Sequence, residues 1–385
     1  MKKKTNILFM NNSLYAGGAE KILQTLLRHL DPQVYNITLY GLKKEEFDSQ
    51  IFPSHIAYNY IFDQDLGDKG FFGSLWMRIV NKSKLLIYDH FSPKLFYKLF
   101  VRGKYDVEVA FIEGYSTKII SGSSNPKSIK VAWVHADLHM NHWTAIAYKN
   151  IKQEKKCYQQ FDHIVSVSES VQNAFSRKFE ITDKLKVKYN PVNRNEILEK
   201  SKQPIDIQEK QRLRLITVGR LEHQKGYDRL LVITKKLLEE GFNFELWIIG
   251  EGIERENLEK YIQDSQLEDR VTLFGFQKNP YQFVQASDVF VCSSRSEGFS
   301  TVVTEALILG MPVLSTNCSG MKELLGDNEY GVITKNNEED LYKGLKQILE
   351  DESLRAHYRK KSKERSKDFD IEATIAQIEM MWAYE

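Results

Sequence analysis

The stretch Val289-Phe290-Val291-Cys292-Ser293-Ser294-Arg295-Ser296-Glu297-Gly298-Phe299-Ser300-Thr301-Val302-Val303-Thr304-Glu305 changes rhythm half-way. Its first four residues form an unbroken apolar run, the pattern of a strand buried on both faces of a parallel sheet. Val302, Val303, Ala306 and Leu307 then recur at helical spacing. Strand, turn and helix together make half of a βαβ unit.

The same alternation continues in both directions. Apolar runs at 213–218, 244–249, 271–274 and 313–316 flank the quoted strand, with amphipathic stretches between them. Earlier runs at 7–10, 37–40, 107–112, 129–134 and 163–167 repeat the scheme. After the first of these, Ile22, Leu23, Leu26, Leu27 and Leu30 line one helix face. The pattern stalls at Asn190-Pro191-Val192-Asn193 and along the charged stretch to Arg212, which reads as a linker. The expectation is an α/β protein with two doubly wound parallel sheets in series. Residues 1–192 form one domain and 193–368 the other. A terminal helix over 369–385, with Ile371, Ile375, Ile378, Met381 and Trp382 at helical spacing, is expected to cross back to the first domain.

A length of 385 residues exceeds one ordinary core, in keeping with two domains. With 42% hydrophobic and 28% charged residues the composition is globular, which excludes disorder, collagen and coiled coil. No apolar run approaches the roughly 18 residues of a spanning helix. The apolar part of the opening MKKKTNILFMNNS is confined to 7–10. A secretory leader needs about 7–15 such residues, so this reads as a first strand. Cys157, Cys292 and Cys318 are odd in number and far apart, which argues against a disulfide framework and a zinc site. A cytoplasmic protein is expected. Residues 1–190 hold 27 Lys/Arg against 18 Asp/Glu, so the first half is basic and the second acidic. The first half therefore suits something anionic: a nucleic acid, a phosphorylated substrate or a membrane surface.

Three further patterns carry chemistry. Gly17-Gly18-Ala19-Glu20 follows the first strand and opens a helix, where unpaired amides and the dipole favour a phosphate. It lacks the full G-x-G-x-x-G spacing of a dinucleotide site. Gly219-Arg220 and Lys225-Gly226 place two cations beyond the strand at 213–218, at the end of a sheet where such folds bind ligands. Arg offers a planar fork to phosphate oxygens and Lys a mobile point charge. Glu297 and Glu305 are acceptor-only carboxylates on either side of the amides of Gly298, Phe299, Ser300 and Thr301. That combination suits a polyhydroxylated phosphoester.

Taken in order, Gly-Gly-Ala-Glu, Val-Gly-Arg-Leu, Lys-Gly, Gly250-Glu251-Gly252, Phe274-Gly275-Phe276, Ala286-Ser287-Asp288 and Glu297-x7-Glu305 resemble the retaining glycosyltransferases of family 4. The series is dense from 213 to 335 and thin from 42 to 105. The resemblance implies the GT-B fold, two Rossmann-like domains facing across a cleft. It also implies sugar transfer from a nucleotide diphosphate donor, UDP being the expected carrier, with retained configuration and no metal or other cofactor. Glu297 would hold the sugar hydroxyls and Glu305 the ribose. Arg220 and Lys225 would grip the diphosphate, with Gly17 and Gly18 closing over it and Gly219 beside it. The base would lie beside Phe276 to Asn279, read largely by backbone. His135, ending the strand at 129–134, occupies the place of a histidine beside the sugar, as catalyst or as positioning group.

His139 and His142 follow His135 at spacings that on a helix mimic a metal site, but two cations already serve the leaving group. Asp63-Gln64-Asp65 sits among glycines and reads as a solvated loop. Residues 69–104 hold eight Lys/Arg, eight aromatics and one acid, Asp89, and Pro93 divides them into two helical pieces. Trp76, Met77, Ile79, Val80, Leu85, Leu86 and Ile87 add aliphatic bulk that fits a membrane-surface helix better than single-stranded nucleic acid. The reading is peripheral contact with the anionic cytoplasmic leaflet, which would serve a lipid-linked saccharide acceptor in cell-surface polysaccharide synthesis. The rivals are a silent GT-B subunit that stabilises a partner transferase and a nucleotide-binding oxidoreductase.

Overall fold

The computed structural model describes residues 3–14, 17–45, 51–63, 70–207 and 211–382, with backbone alone over 70–78. Its chain divides into two compact units, Met1–Pro191 with Glu372–Glu385, and Val192–Ile371.

The first unit is built on seven parallel strands in the order β3-β2-β1-β4-β5-β6-β7. These are β1 (Thr5–Asn11), β2 (Tyr35–Lys43), β3 (Ala57–Phe62), β4 (Val107–Ala110), β5 (Ile129–Val134), β6 (His163–Ser166) and β7 (Leu185–Val187). Helices α1 (Gly18–His29), α2 (Gly70–His90), α3 (Pro93–Phe100), α4 (Tyr115–Ile120), α5 (Ile151–Tyr158) and α6 (Glu169–Phe179) connect them. The central strands are the apolar runs of the sequence: Ile7, Leu8, Phe9, Val107, Val109, Val131 and Val134 are fully buried. α2 stops before Pro93, which enters α3 in its first turn behind the Ser92 cap.

The second unit carries six parallel strands in the order β10-β9-β8-β11-β12-β13. After α7 (Arg194–Ser201) come β8 (Leu213–Val218), α8 (Tyr227–Glu239), β9 (Phe244–Ile249), α9 (Arg255–Asp264) and β10 (Val271–Gly275). Then follow α10 (Tyr281–Gln285), β11 (Val289–Cys292), α11 (Thr301–Ile308), β12 (Val313–Thr316), α12 (Met321–Leu325) and β13 (Val332–Thr334), with α13 (Glu338–Glu350) and α14 (Glu352–Arg365) last.

The charged stretch after Asn193 is not all linker, because α7 begins at once with the Asn193 side chain accepting the Glu196 amide. Ile197 is buried, and Asn279 donates to the Lys200 carbonyl at 2.9 Å. The helix is charged because only one narrow face is covered. Beyond α14, α15 (Ile371–Glu379) belongs to the first unit from Glu372 onward. Trp382 packs edge-on against Phe9 at 5.8 Å and Tyr35 at 5.9 Å.

Candidate functional site

In the second unit the decisive loop runs from the end of β11 to the start of α11. Glu297 is 9% exposed and its Oε1 accepts from Lys225 Nζ at 2.7 Å and from the Ser294 hydroxyl at 2.5 Å. Burial pulls the Lys225 ammonium down, but the Glu297 carboxylate outweighs it and holds Lys225 well above its ordinary value. Lys225 is therefore charged throughout the physiological range.

Backbone geometry brings the pair together. Gly226 has φ +67°, and a Cβ there would fall on the Ser293 carbonyl oxygen. Only glycine lets the start of α8 pass so close to the end of β11. Arg229, in the first turn of α8 and buried, donates twice to the Ser293 carbonyl at 2.6 and 3.0 Å, to the Ser294 carbonyl at 2.8 Å and to Asn336 Oδ1 at 2.7 Å. Arg295 adds a two-pronged bond to Asp228, both contacts 2.7 Å.

Glu305, the fifth residue of α11, is 6% exposed and accepts from the Tyr281 hydroxyl at 3.3 Å. The helix starts later than its sequence suggests. Ser300 is the cap, its hydroxyl accepting the Val303 amide, so Gly298 and Phe299 lie before the helix and its first amides are those of Thr301 and Val302. Gly219 follows β8 directly. Arg220 is exposed and pairs with Glu222 at 2.9 Å instead of joining the Lys225 pair. Phe276 is 72% exposed just past β10, while the Asn279 side chain is committed to Lys200 and Gln203.

In the first unit, Gly17 caps α1 with extended backbone and Gly18 is its first residue. The Glu20 carboxylate lies against Gly17, so an anion arriving at this helix end meets a negative charge already there. His135 follows β5. Its Nε2 donates to the Phe111 carbonyl at 2.8 Å, and its amide donates to Glu113 Oε2 at 3.1 Å. Burial holds its pKa down at about 4, so the ring is neutral at pH 7.

The helical reading of His135, His139 and His142 does not hold: the segment is irregular until a 3₁₀ turn at Trp143–Ala147. His142 instead bonds Glu154 at 2.6 Å. Among the described residues no three metal-ligating side chains cluster. Asp63 follows the edge strand β3, and Gln64 and Asp65 lie outside the described residues. All three cysteines are free and buried. The residues that sequence reasoning missed are Ser294, Arg229, Tyr281 and Glu113. Only Arg229, a charge among the apolar residues of α8, left a signal.

A family model, Glycosyl transferases group 1, matches residues 199–365. An uncharacterized glycosyltransferase of Methanocaldococcus jannaschii is 30% identical over 301 residues, 69% of this chain and 73% of that protein. The chain belongs to the group 1 glycosyl transferases. A second relative of this group 1 chain is the N-acetylgalactosamine-N,N'-diacetylbacillosaminyl-diphospho-undecaprenol 4-alpha-N-acetylgalactosaminyltransferase of Campylobacter jejuni. It is 33% identical over 216 residues, 55% of this chain, and the match spans only 58% of the relative. Among solved structures, Anabaena HepE in complex with UDP and glucose superposes with a TM-score of 0.74 at 20% identity, over 98% of each chain. The fold of this group 1 glycosyl transferase is GT-B, with its two parallel sheets of seven and six strands.

Proposed function

We propose that the protein is a retaining hexosyltransferase that moves a sugar from UDP to an acceptor hydroxyl in bacterial cell-surface polysaccharide synthesis. The observation that carries this reading is the charged Lys225–Glu297 pair, poised by Ser294 and Arg229 beyond the carboxyl end of β11. Sugar hydroxyls take up Glu297, and Lys225 with Arg220 meets the diphosphate. Glu305, with Tyr281, receives the ribose. Gly298, Phe299, Ser300, Thr301 and Gly219 line the same end of the sheet, and the base lies by Phe276. In the first unit, Gly17 and Gly18 at the start of α1 and His135 after β5 are further proposed binding residues, the glycine pair once the Glu20 carboxylate has turned aside.

The bond from the anomeric carbon to the β-phosphate oxygen breaks, and its electron pair stays on the diphosphate. The acceptor oxygen bonds the anomeric carbon from the same face, and its proton passes to the leaving phosphate. Fixed cations stabilise the charge that develops, so no enzymic nucleophile, metal or other cofactor enters the scheme. The test is turnover across a panel of nucleotide sugars with the reaction's anomer determined. Turnover of none of them, or inversion, refutes the reading.

The acceptor in this proposal is lipid-linked, as the name of the C. jejuni protein says of that enzyme. No described helix is long and apolar enough to cross a membrane. Within 69–104, Tyr88 and Phe96 are buried, whereas Ile79, Leu85, Leu86, Phe91 and Leu99 are each about half exposed. Lys82, Lys94, Lys98, Arg102 and Lys104 stand exposed among them. The side chains of Trp76 and Met77 lie outside the described residues. This mixed face suits peripheral contact with an anionic cytoplasmic leaflet, each cation adding ~1 kcal/mol. Sedimentation with anionic but not neutral liposomes, lost at high salt, is the expected result. Equal recovery with both lipids would refute it.

A further inference from the structure

Glu113 lies three residues past β4 and is 1% exposed. β4 neighbours β1 where the order of the first sheet reverses, the point beyond which open parallel sheets take their ligands. The hydrogen bonds its carboxylate makes are all from donors. Oε2 accepts the His135 amide at 3.1 Å and Oε1 accepts the Trp143 indole N–H at 3.3 Å. The amides of Ala136 and of Glu113 itself point to it as well. Two residues earlier, the Phe111 carbonyl fixes His135 Nε2–H. With Nε2 carrying the proton, Nδ1 is the acceptor nitrogen of a neutral ring.

The rest of this segment is pinned in the same manner. His142 and Thr144 bond Glu154, each at 2.6 Å, and the Tyr148 hydroxyl donates to the Gly114 carbonyl at 2.9 Å. Lys118 and Tyr88 both donate to the Ala147 carbonyl, at 3.0 and 3.1 Å. Side chains supply the order that strand or helix would otherwise give.

We propose that Glu113 is a positioning residue for sugar transfer: its carboxylate locks the His135–Ala136 backbone to Trp143, so that His135 Nδ1 is presented to a sugar hydroxyl. This rests on the glycosyltransferase reading above. The carboxylate must be ionised to accept from four donors, yet burial pushes its pKa up to about 7. The titratable groups facing it are His135 from the end of β5 and Tyr158 from α5, whose hydroxyl is raised well above its ordinary value. His142 sits one contact further out, on Glu154.

The test compares wild type, Glu113→Gln and His142→Gln, with kcat measured from pH 5.5 to 8.5 and UDP binding by calorimetry. Glu113→Gln keeps the shape but turns an amide NH₂ toward donors. Its kcat should fall at least ~10-fold with UDP affinity unchanged, because the nucleotide belongs to the second unit. Wild-type kcat should decline as pH falls through about 7, and His142→Gln should keep that limb. Wild-type turnover in a folded Glu113→Gln overturns the proposal. So does a flat wild-type profile or a limb abolished by His142→Gln, and these two decide the matter even if Glu113→Gln does not fold. Failure of the wild type to bind UDP defeats instead the reading beneath it.

Discussion

Acidification should expose two buried groups that lie one hydrogen bond apart and cancel each other. Burial displaces the Glu113 carboxyl from 4.5 to about 7 and the His135 imidazole from 6.5 to about 4. Each displacement is worth roughly 3 kcal/mol across its full interval. Between pH 4.5 and 6.5 the folded chain holds a proton on Glu113 and none on His135. The unfolded chain has the reverse. The proton counts are equal, so the pair contributes no slope to stability in this window.

Removing either partner uncovers the other. In Glu113→Gln only His135 remains, the unfolded state binds the extra proton, and stability falls by ~1.4 kcal/mol from pH 6 to pH 5. In His135→Gln only Glu113 remains, the folded state binds the extra proton, and stability rises by about the same amount. For a unit of this size each change moves the unfolding midpoint by ~3–6 °C relative to wild type, in opposite directions. Thermal unfolding followed by circular dichroism at the two pH values reads this directly. Shifts of the same sign in both variants, or none in either, would refute the reasoning.

Lys225→Ala should lower kcat at least ~10²-fold, the equivalent of ~2.7 kcal/mol of transition-state stabilisation, in a protein that still folds by circular dichroism. Tyr281→Phe should raise donor KM about tenfold with kcat nearly unchanged, because a hydrogen bond to a carboxylate is worth ~1.5–3 kcal/mol and this one orients Glu305 away from the reacting carbon. Gly226→Ala meets both a positive φ and the Ser293 carbonyl, so a loss of at least ~2 kcal/mol in urea unfolding is expected; wild-type stability there would show that the β11 loop gives way.

What the chain displays of this structure follows burial. β5, β8, β9, β11 and β12 have the bounds of their apolar runs, because parallel strands covered on both faces leave no room for alternation. β3, β7 and β13 went unread for the converse reason. They edge their sheets, two are three residues long, and β3 exposes Ala57, Asn59 and Tyr60. At the site, Glu297, Glu305, Lys225 and Gly226 are visible because their spacing is local to a strand, a turn and a helix. Glu113 is not, since its partners stand 22 and 30 residues away and three of its four bonds come from backbone amides that any residue carries. Ser294 looks like any loop serine until the turn folds it back on Glu297. His135 could be located but not its tautomer, which depends on a carbonyl 24 residues earlier.

The contact between Phe9 and Trp382 also has a consequence in time. A ribosome adding 5–20 residues per second needs roughly 20–75 s to travel from one to the other. During that interval the whole second unit is made while the side of β1 and β2 that will receive Trp382 stands open. The first part of the chain to be synthesised is thus the last to be closed, and it passes its early life as an unsealed intermediate. Limited proteolysis of ribosome-bound chains should find residues 1–191 more easily cut before residue 382 emerges than after release. Equal resistance at both stages would mean that the late helix adds nothing to an already finished unit.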